Sequence, residues 1–191
     1  YILNKATRLI VLSAHWQGWF AKIVNADKIR VLANPVDDYL PPPQHSQRPL
    51  QIILFMGSLE ARKGVVALLD AFIQLHAQYP ELRLVYGGSG VLQTVLQEKI
   101  RSANLEGFVH LAGWVSGEAK STLLQQADLF ILPSFSENFP VALLEAMSAA
   151  LPVITTAVGG IVDIVEHEQN GLLVKPGDTD AIIMQVQRLL E

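Results

Sequence analysis

Two glutamates, Glu137 and Glu145, stand eight positions apart in a stretch that is otherwise almost wholly apolar. That stretch, residues 134–150, reads Ser-Phe-Ser-Glu-Asn-Phe-Pro-Val-Ala-Leu-Leu-Glu-Ala-Met-Ser-Ala-Ala. A carboxylate in such company is seldom buried unless something satisfies it. Pro140 suits the first position of a helix, since its fixed φ fits there and its missing N–H would be unpaired anyway. The expected helix, begun at Pro140, continues over 141–150 with Glu145 as its single charge and Glu137 just before it. Phe139, at the expected N-cap, has no side-chain oxygen to close the N–H groups of Val141 and Ala142. Such a helix start offers free donors to an anion or a sugar hydroxyl. The plain alternative is a core helix, with Glu145 on a solvated edge and Glu137 or Asn138 acting as the cap.

A cation is at hand in residues 55–64, Phe-Met-Gly-Ser-Leu-Glu-Ala-Arg-Lys-Gly. Gly57 lets backbone approach a ligand closely, and Lys63 places a positive charge beside an expected helix start, where a diphosphate would be doubly stabilised. Taken alone, a lysine here is more often a solvated surface residue. The spacing is not that of a Walker A loop. Gly87-Gly88-Ser89-Gly90 follows an expected strand, but Gln93 stands where a dinucleotide fingerprint needs its third glycine. The five histidines are scattered without ligand spacing and there is no cysteine. A protein-bound metal, a disulfide and a thiol nucleophile are therefore not expected.

The elements that must position these groups alternate along the chain. Strands are expected at 51–56, 82–86, 108–112, 128–132, 153–156 and 171–174, separated by helices at 64–79, 90–103, 118–126, 140–150 and 161–166. Asp178 is expected to cap a last helix that runs to Glu191. This alternation predicts an α/β domain with a doubly wound, Rossmann-like parallel sheet. Residues 128–132 are apolar almost throughout, as befits a strand buried on both faces. The glutamate stretch then begins at its carboxyl end, where open α/β sheets bind ligands. Ahead of this domain, residues 7–13, 14–24 and 29–32 read as strand, helix and strand. Trp16, Trp19 and Phe20 share one face of that helix, a stripe more often core or domain interface than ligand platform. The proline-rich residues 41–49 read as a stiff linker.

Of the 191 residues, 50% are hydrophobic and 17% charged, which supplies a large core and argues against disorder. A formal net charge of −4 without a basic block makes nucleic acid a poor partner.

The run from Glu137 to Met147, with Pro133-Ser134 before it and Leu151-Pro152-Val153-Ile154 after it, resembles the E-x7-E motif of the retaining family 4 (group 1) glycosyltransferases. Gly57, Leu59, Lys63 and Gly64 match that family's phosphate-binding turn, whereas Ser58 stands where the family usually has a phosphate-pairing arginine. Arg62 is a candidate to supply that cation instead. The resemblance implies a two-domain GT-B protein. Residues 1–40 would be the tail of the N-terminal acceptor domain, 41–49 the linker, and 50–191 the donor-binding domain with its last helix cut.

The resemblance further implies sugar transfer, with retention, from a UDP-, GDP- or ADP-linked donor to a polysaccharide or glycolipid acceptor. It needs no cofactor and no metal. Glu137 and Lys63 would be catalytic, Glu137 near the donor sugar and Lys63 on the leaving diphosphate, while Glu145 would hold the ribose. Gly57, Ser58, Arg62, Gly88, Trp114, Val115, Asn138, Phe139, Pro140, Val141 and Ala142 would complete the donor site, with Trp114 and Val115 beside the base. The acceptor would bind through the missing N-terminal domain, so these 191 residues are expected to bind nucleotide without transferring sugar. Relatives of this kind imply a cytoplasmic protein, with room for peripheral association at the inner membrane face. A catalytically inactive nucleotide-sugar-binding domain, a GT-B nucleotide-sugar epimerase and a plain interaction domain are the competing readings.

Overall fold

The computed structural model describes residues 3–36 and 49–191. Strands β1 (Leu9–Val11) and β2 (Ile29–Val31) pair in parallel around helix α1 (Ala14–Phe20). Both the strand and the helix are shorter than expected. Ser13, expected in the strand, instead caps α1 by accepting the N–H of Trp16 at 3.4 Å. Its hydroxyl favours that role over a place in a ladder. The expected linker, apart from Pro49, lies outside the described residues.

The rest is one parallel sheet flanked by helices. In chain order it comprises β3 (Ile52–Met56), α2 (Val65–Gln78), β4 (Arg83–Gly87), α3 (Gln93–Ser102), β5 (Val109–Gly113), α4 (Gly117–Gln126), β6 (Leu129–Leu132), α5 (Val141–Ser148), β7 (Val153–Thr156), β8 (Leu172–Val174) and α6 (Thr179–Leu190). The spatial order is β5-β4-β3-β6-β7-β8. The chain thus works outward from β3, then returns across the sheet to β6 and works outward the other way. This is the doubly wound, Rossmann-like order, and its reversal lies between β3 and β6. All four residues of β6 are buried, as a strand covered on both faces requires. Asp178 caps α6, its Oδ1 accepting the N–H of Ala181 at 2.9 Å. The helix expected over 161–166 is instead a short 3-10 turn, Gly159–Asp163. The double glycine at its start admits a close backbone approach that a regular helix would not make.

Two polar ties fix the ends of the central strands. At the amino end, Asp128 Oδ2 accepts the N–H groups of Gln51 and Ile52, at 3.1 and 2.8 Å, and so locks β3 to β6. At the other, the Tyr86 hydroxyl donates to the Val65 carbonyl at 2.8 Å and ties β4 to the first residue of α2. Tyr86 is fully buried, and that burial, with the Asp70 carboxylate adding to it, pushes its pKa well above the ordinary 10.0. An ionised Tyr86 is therefore excluded from the fold, while the unfolded chain ionises freely above pH 10. The contribution is complete below about pH 10 and is lost as pH rises beyond it. Wild-type stability should fall by up to about 1.4 kcal/mol per pH unit there. Tyr86→Phe should cost about 1 kcal/mol at neutral pH and should flatten that alkaline slope. Urea melts at pH 7 and above pH 10 check both, and an unchanged slope in the variant would refute the assignment.

Candidate functional site

The parallel pairing of β3 with β6 sets Ile53 opposite Leu129 and Leu54 opposite Phe130, so both strands deliver their loops to one place. Beyond β3 the chain enters a 3-10 turn, Ala61–Lys63, closed by Gly64 at φ 70. A Cβ at Gly64 would lie 2.2 Å from the Pro133 carbonyl oxygen, so this turn sits directly on the chain leaving β6. The Phe135 N–H donates to the Arg62 carbonyl at 2.8 Å and fastens the same contact. These two loops bring Lys63 Nζ to 2.5 Å from Glu137 Oε1, with both side chains largely buried. Ser134 Oγ donates to that same oxygen at 2.7 Å. Ser134 is itself held by Thr156 Oγ1, which donates to its carbonyl at 2.6 Å.

Helix α5 begins at Val141, one residue later than expected. Pro140 is the N-cap, with φ −73 and ψ 112, and Phe139 lies outside the helix. The extended ψ of Pro140 keeps it out of the first turn. No side chain caps this end, so neither Glu137 nor Asn138 serves as the cap. Among the described residues nothing accepts the N–H groups of Phe139, Val141 and Ala142. Glu145 is not on a solvated edge either. It is buried and ion-paired with Lys120 of α4.

The remaining predicted residues form the neighbouring rim. The Gly57 N–H donates to the Gly87 carbonyl at 3.1 Å, and a Cβ at Gly88 would stand 1.8 Å from the Gly57 carbonyl oxygen. Gly88 also bridges to Gly113, and a Cβ at Gly87 would meet Val115 at 3.0 Å. Gly57, Gly88 and Val115 therefore converge at the carboxyl ends of β3, β4 and β5. Trp114 beside them is 74% exposed. Ser58 turns its hydroxyl inward, buried and without a hydrogen-bond partner among the described residues. Arg62 pairs with Glu60 at 2.8 Å, both side chains about half exposed, and it is Lys63 that meets Glu137.

Several contributors were missed from sequence. Ser134 lies three residues before Glu137, close enough in sequence for its hydroxyl to reach that carboxylate. Lys120 gave no local signal, since it lies on a different helix from Glu145. Trp16 was read only as packing, yet its Nε1 donates to the Asn138 carbonyl at 2.9 Å. Gly159 and Gly160 carry no side chain that could signal a role. A Cβ at Gly159 would stand 1.7 Å from the Glu137 carbonyl oxygen, so they hold the loop from its other side.

Residues 41–191 match the family model described as glycosyl transferases group 1. The chain belongs to that family. An uncharacterised glycosyltransferase of Methanocaldococcus jannaschii is 34% identical over 140 residues, covering 73% of this chain and 36% of the relative. WcaL of Escherichia coli, named for colanic acid biosynthesis, is 30% identical over 195 residues, covering 97% of this chain and 48% of its own length. This group 1 chain thus spans a third to a half of the relatives it matches. Among solved structures, HepE of Anabaena, crystallised with UDP and glucose, superposes with a TM-score of 0.86 at 24% identity. That match covers 100% of this chain and 55% of HepE, and it shows the same fold.

Gly64 offers a direct test of how this group 1 site is assembled. Gly64→Ala should destabilise the protein by more than about 1 kcal/mol, because the left-handed φ and the Pro133 carbonyl both reject a Cβ. Gly18, inside α1, meets nothing within 4 Å, so Gly18→Ala should stabilise by about 0.5–1 kcal/mol. Thermal melts of the two variants should move in opposite directions. A Gly64→Ala protein as stable as wild type would mean the two loops are not packed as described.

Proposed function

We propose that this chain is the donor-binding part of a retaining glycosyltransferase, which moves a sugar from a nucleoside diphosphate to a saccharide or lipid-linked acceptor. In this reading residues 50–191 bind the donor, and residues 1–40 close the acceptor domain of a longer protein. The observation that carries it is the buried Lys63–Glu137 pair at the point where the strand order reverses. Beside it lies a helix start whose Val141 and Ala142 N–H groups have no acceptor among the described residues.

As the bond between the sugar C1 and the diphosphate oxygen breaks, negative charge gathers on the diphosphate. The Lys63 ammonium has donors to spare beyond the one given to Glu137. Together with the N–H groups of Phe139, Val141 and Ala142 it would stabilise that charge electrostatically. The acceptor oxygen would bond to C1 on the face the diphosphate vacates, its proton passing to the leaving group, and this retains configuration. Glu137 would meet the donor sugar. Glu145, held by Lys120, would accept hydrogen bonds from the ribose hydroxyls. Gly57, Ser58 and Gly88 would border the diphosphate and Trp114 and Val115 the base. The UDP and glucose in HepE and the names of the relatives support this reading. One observation favours a second, a nucleotide-sugar binder without catalysis. Ser58 is a short, buried hydroxyl where the resemblance leads one to expect a cation.

Calorimetry with UDP, GDP, ADP and their glucose conjugates tests the reading, and binding of none of them would overturn it. Lys63→Ala should weaken binding of the diphosphate by about 1.5–3 kcal/mol and leave the bare nucleoside almost unaffected. Equal wild-type affinity for UDP and uridine would remove Lys63 from the site. Glu145→Gln should cost about 1–3 kcal/mol of nucleotide affinity, with a similar penalty for the 2′-deoxy nucleotide on wild type. The two losses should not add. Full additivity in that cycle would mean Glu145 does not read the ribose. Lys120→Met should lower nucleotide affinity in the same direction as Glu145→Gln, and Lys120→Arg should restore it.

A further inference from the structure

Two side chains from the first unit of the chain reach across to the glutamate loop. Trp16 Nε1, on α1, donates to the Asn138 carbonyl at 2.9 Å, and Asn34 Nδ2, beyond β2, donates to the Phe139 carbonyl at 3.1 Å. The Gly160 N–H fills the other side of the Asn138 carbonyl at 2.9 Å. Two consecutive carbonyls are thereby held just before α5, in a loop with no regular structure of its own.

The consequence follows from peptide geometry. No peptide among the described residues is cis, and in a trans unit the N–H points opposite to its own C=O. With the Asn138 carbonyl held toward α1 and the Gly159–Asp163 turn, the Phe139 N–H must point away from both. That N–H is one of the three left without an acceptor. The Phe139 carbonyl, held by Asn34, sets the plane from which Pro140 leads into Val141 and Ala142.

We propose that Trp16 and Asn34 are positioning residues of the donor site. By holding the Asn138 carbonyl Trp16 aims the Phe139 N–H at the diphosphate, and by holding the Phe139–Pro140 peptide, which has no N–H of its own, Asn34 fixes the lead into Val141 and Ala142, so that donor affinity depends on how the first unit is seated. This rests on the donor-site reading given above. The two residues do more than dock one unit on the other, because docking has separate contacts. The His15 N–H donates to Asp163 Oδ2 at 2.8 Å, and Ser13 packs beside Gly160. The Trp16 ring also packs on Trp19 and Phe20, with centroids 6.0 and 6.3 Å away.

These contacts separate the roles experimentally. In the full chain, Trp16→Phe removes the N–H donor and keeps an aromatic ring, Asn34→Ala removes the second donor, and Asp163→Ala removes only a docking contact. Calorimetry with UDP, GDP and ADP identifies which of the three the wild type binds. For that nucleotide, Trp16→Phe and Asn34→Ala should each weaken binding about 5- to 20-fold, with the bare nucleoside unaffected. The ligand-induced 15N shift of the Phe139 amide should shrink in both. Asp163→Ala should melt earlier and bind the nucleotide as wild type does. Wild-type affinity in both Trp16→Phe and Asn34→Ala would overturn the proposal, and so would an equal loss in Asp163→Ala, which would reduce the effect to docking. If Trp16→Phe fails to fold, Asn34→Ala alone decides. A wild type that binds none of the three nucleotides would overturn the donor-site reading itself.

Discussion

The structure depends on the adjacency of β3 and β6. Strands far apart in sequence become neighbours there because the chain winds outward, returns and winds outward again. Parallel strands cannot be joined by tight turns, so each must hand on to a crossover at its carboxyl end. At the reversal two such crossovers part to opposite sides and leave a crevice between their first residues. The turn carrying Lys63 and the loop carrying Glu137 are these two beginnings. Asp128 locks the amino ends of the same strand pair, so the register that brings Lys63 to Glu137 is set at the far end of the sheet.

A buried lysine–glutamate pair is a poor way to gain stability. Removing both charges from water costs free energy that their attraction only partly offsets, and an apolar pair of similar volume often does as well. Here the carboxylate oxygen takes two donors, Lys63 and Ser134, and Ser134 is anchored by Thr156. The neighbourhood thus satisfies Glu137 while leaving the ammonium with unused donors. In the proposed donor site a ligand would use those donors, which the fold itself does not need. Lys120 and Glu145 form a second lysine–glutamate pair, between α4 and α5.

The strand and helix order was legible because it rests on local pattern. Apolar runs bounded by glycine and proline set β3 to β8 within a residue or two, and Asp178 announced its cap. The acidic pair and Lys63 were legible as odd charges in apolar company. What the sequence hid were partners set by tertiary approach. Lys120 reaches Glu145 from another helix, and Gly160, Trp16 and Asn34 reach the loop carbonyls from distant segments. The helix cap was misplaced by one residue because a proline fits both the cap and the first turn. Periodicity cannot distinguish those two fits.

The loops at this end of the sheet approach one another through backbone. Gly64 against Pro133, Gly88 against Gly57 and Gly159 against Glu137 are approaches that no side chain would allow, and each presses one loop onto the next. Loops held this closely fix the N–H and C=O groups along them, and in the proposed donor site every nucleoside diphosphate would present the same oxygens to those groups. They can hold the common part of a ligand but cannot tell one base from another. On that reading discrimination would fall to the few side chains at the rim that are free to differ. Trp114, 74% exposed and beside the convergence of Gly57, Gly88 and Val115, is the one best placed to contribute. A large aromatic ring exposed at the edge of a backbone-lined crevice has little packing of its own to lose. A planar partner would supply that packing, and the size of the partner would set how much apolar area the contact removes from water.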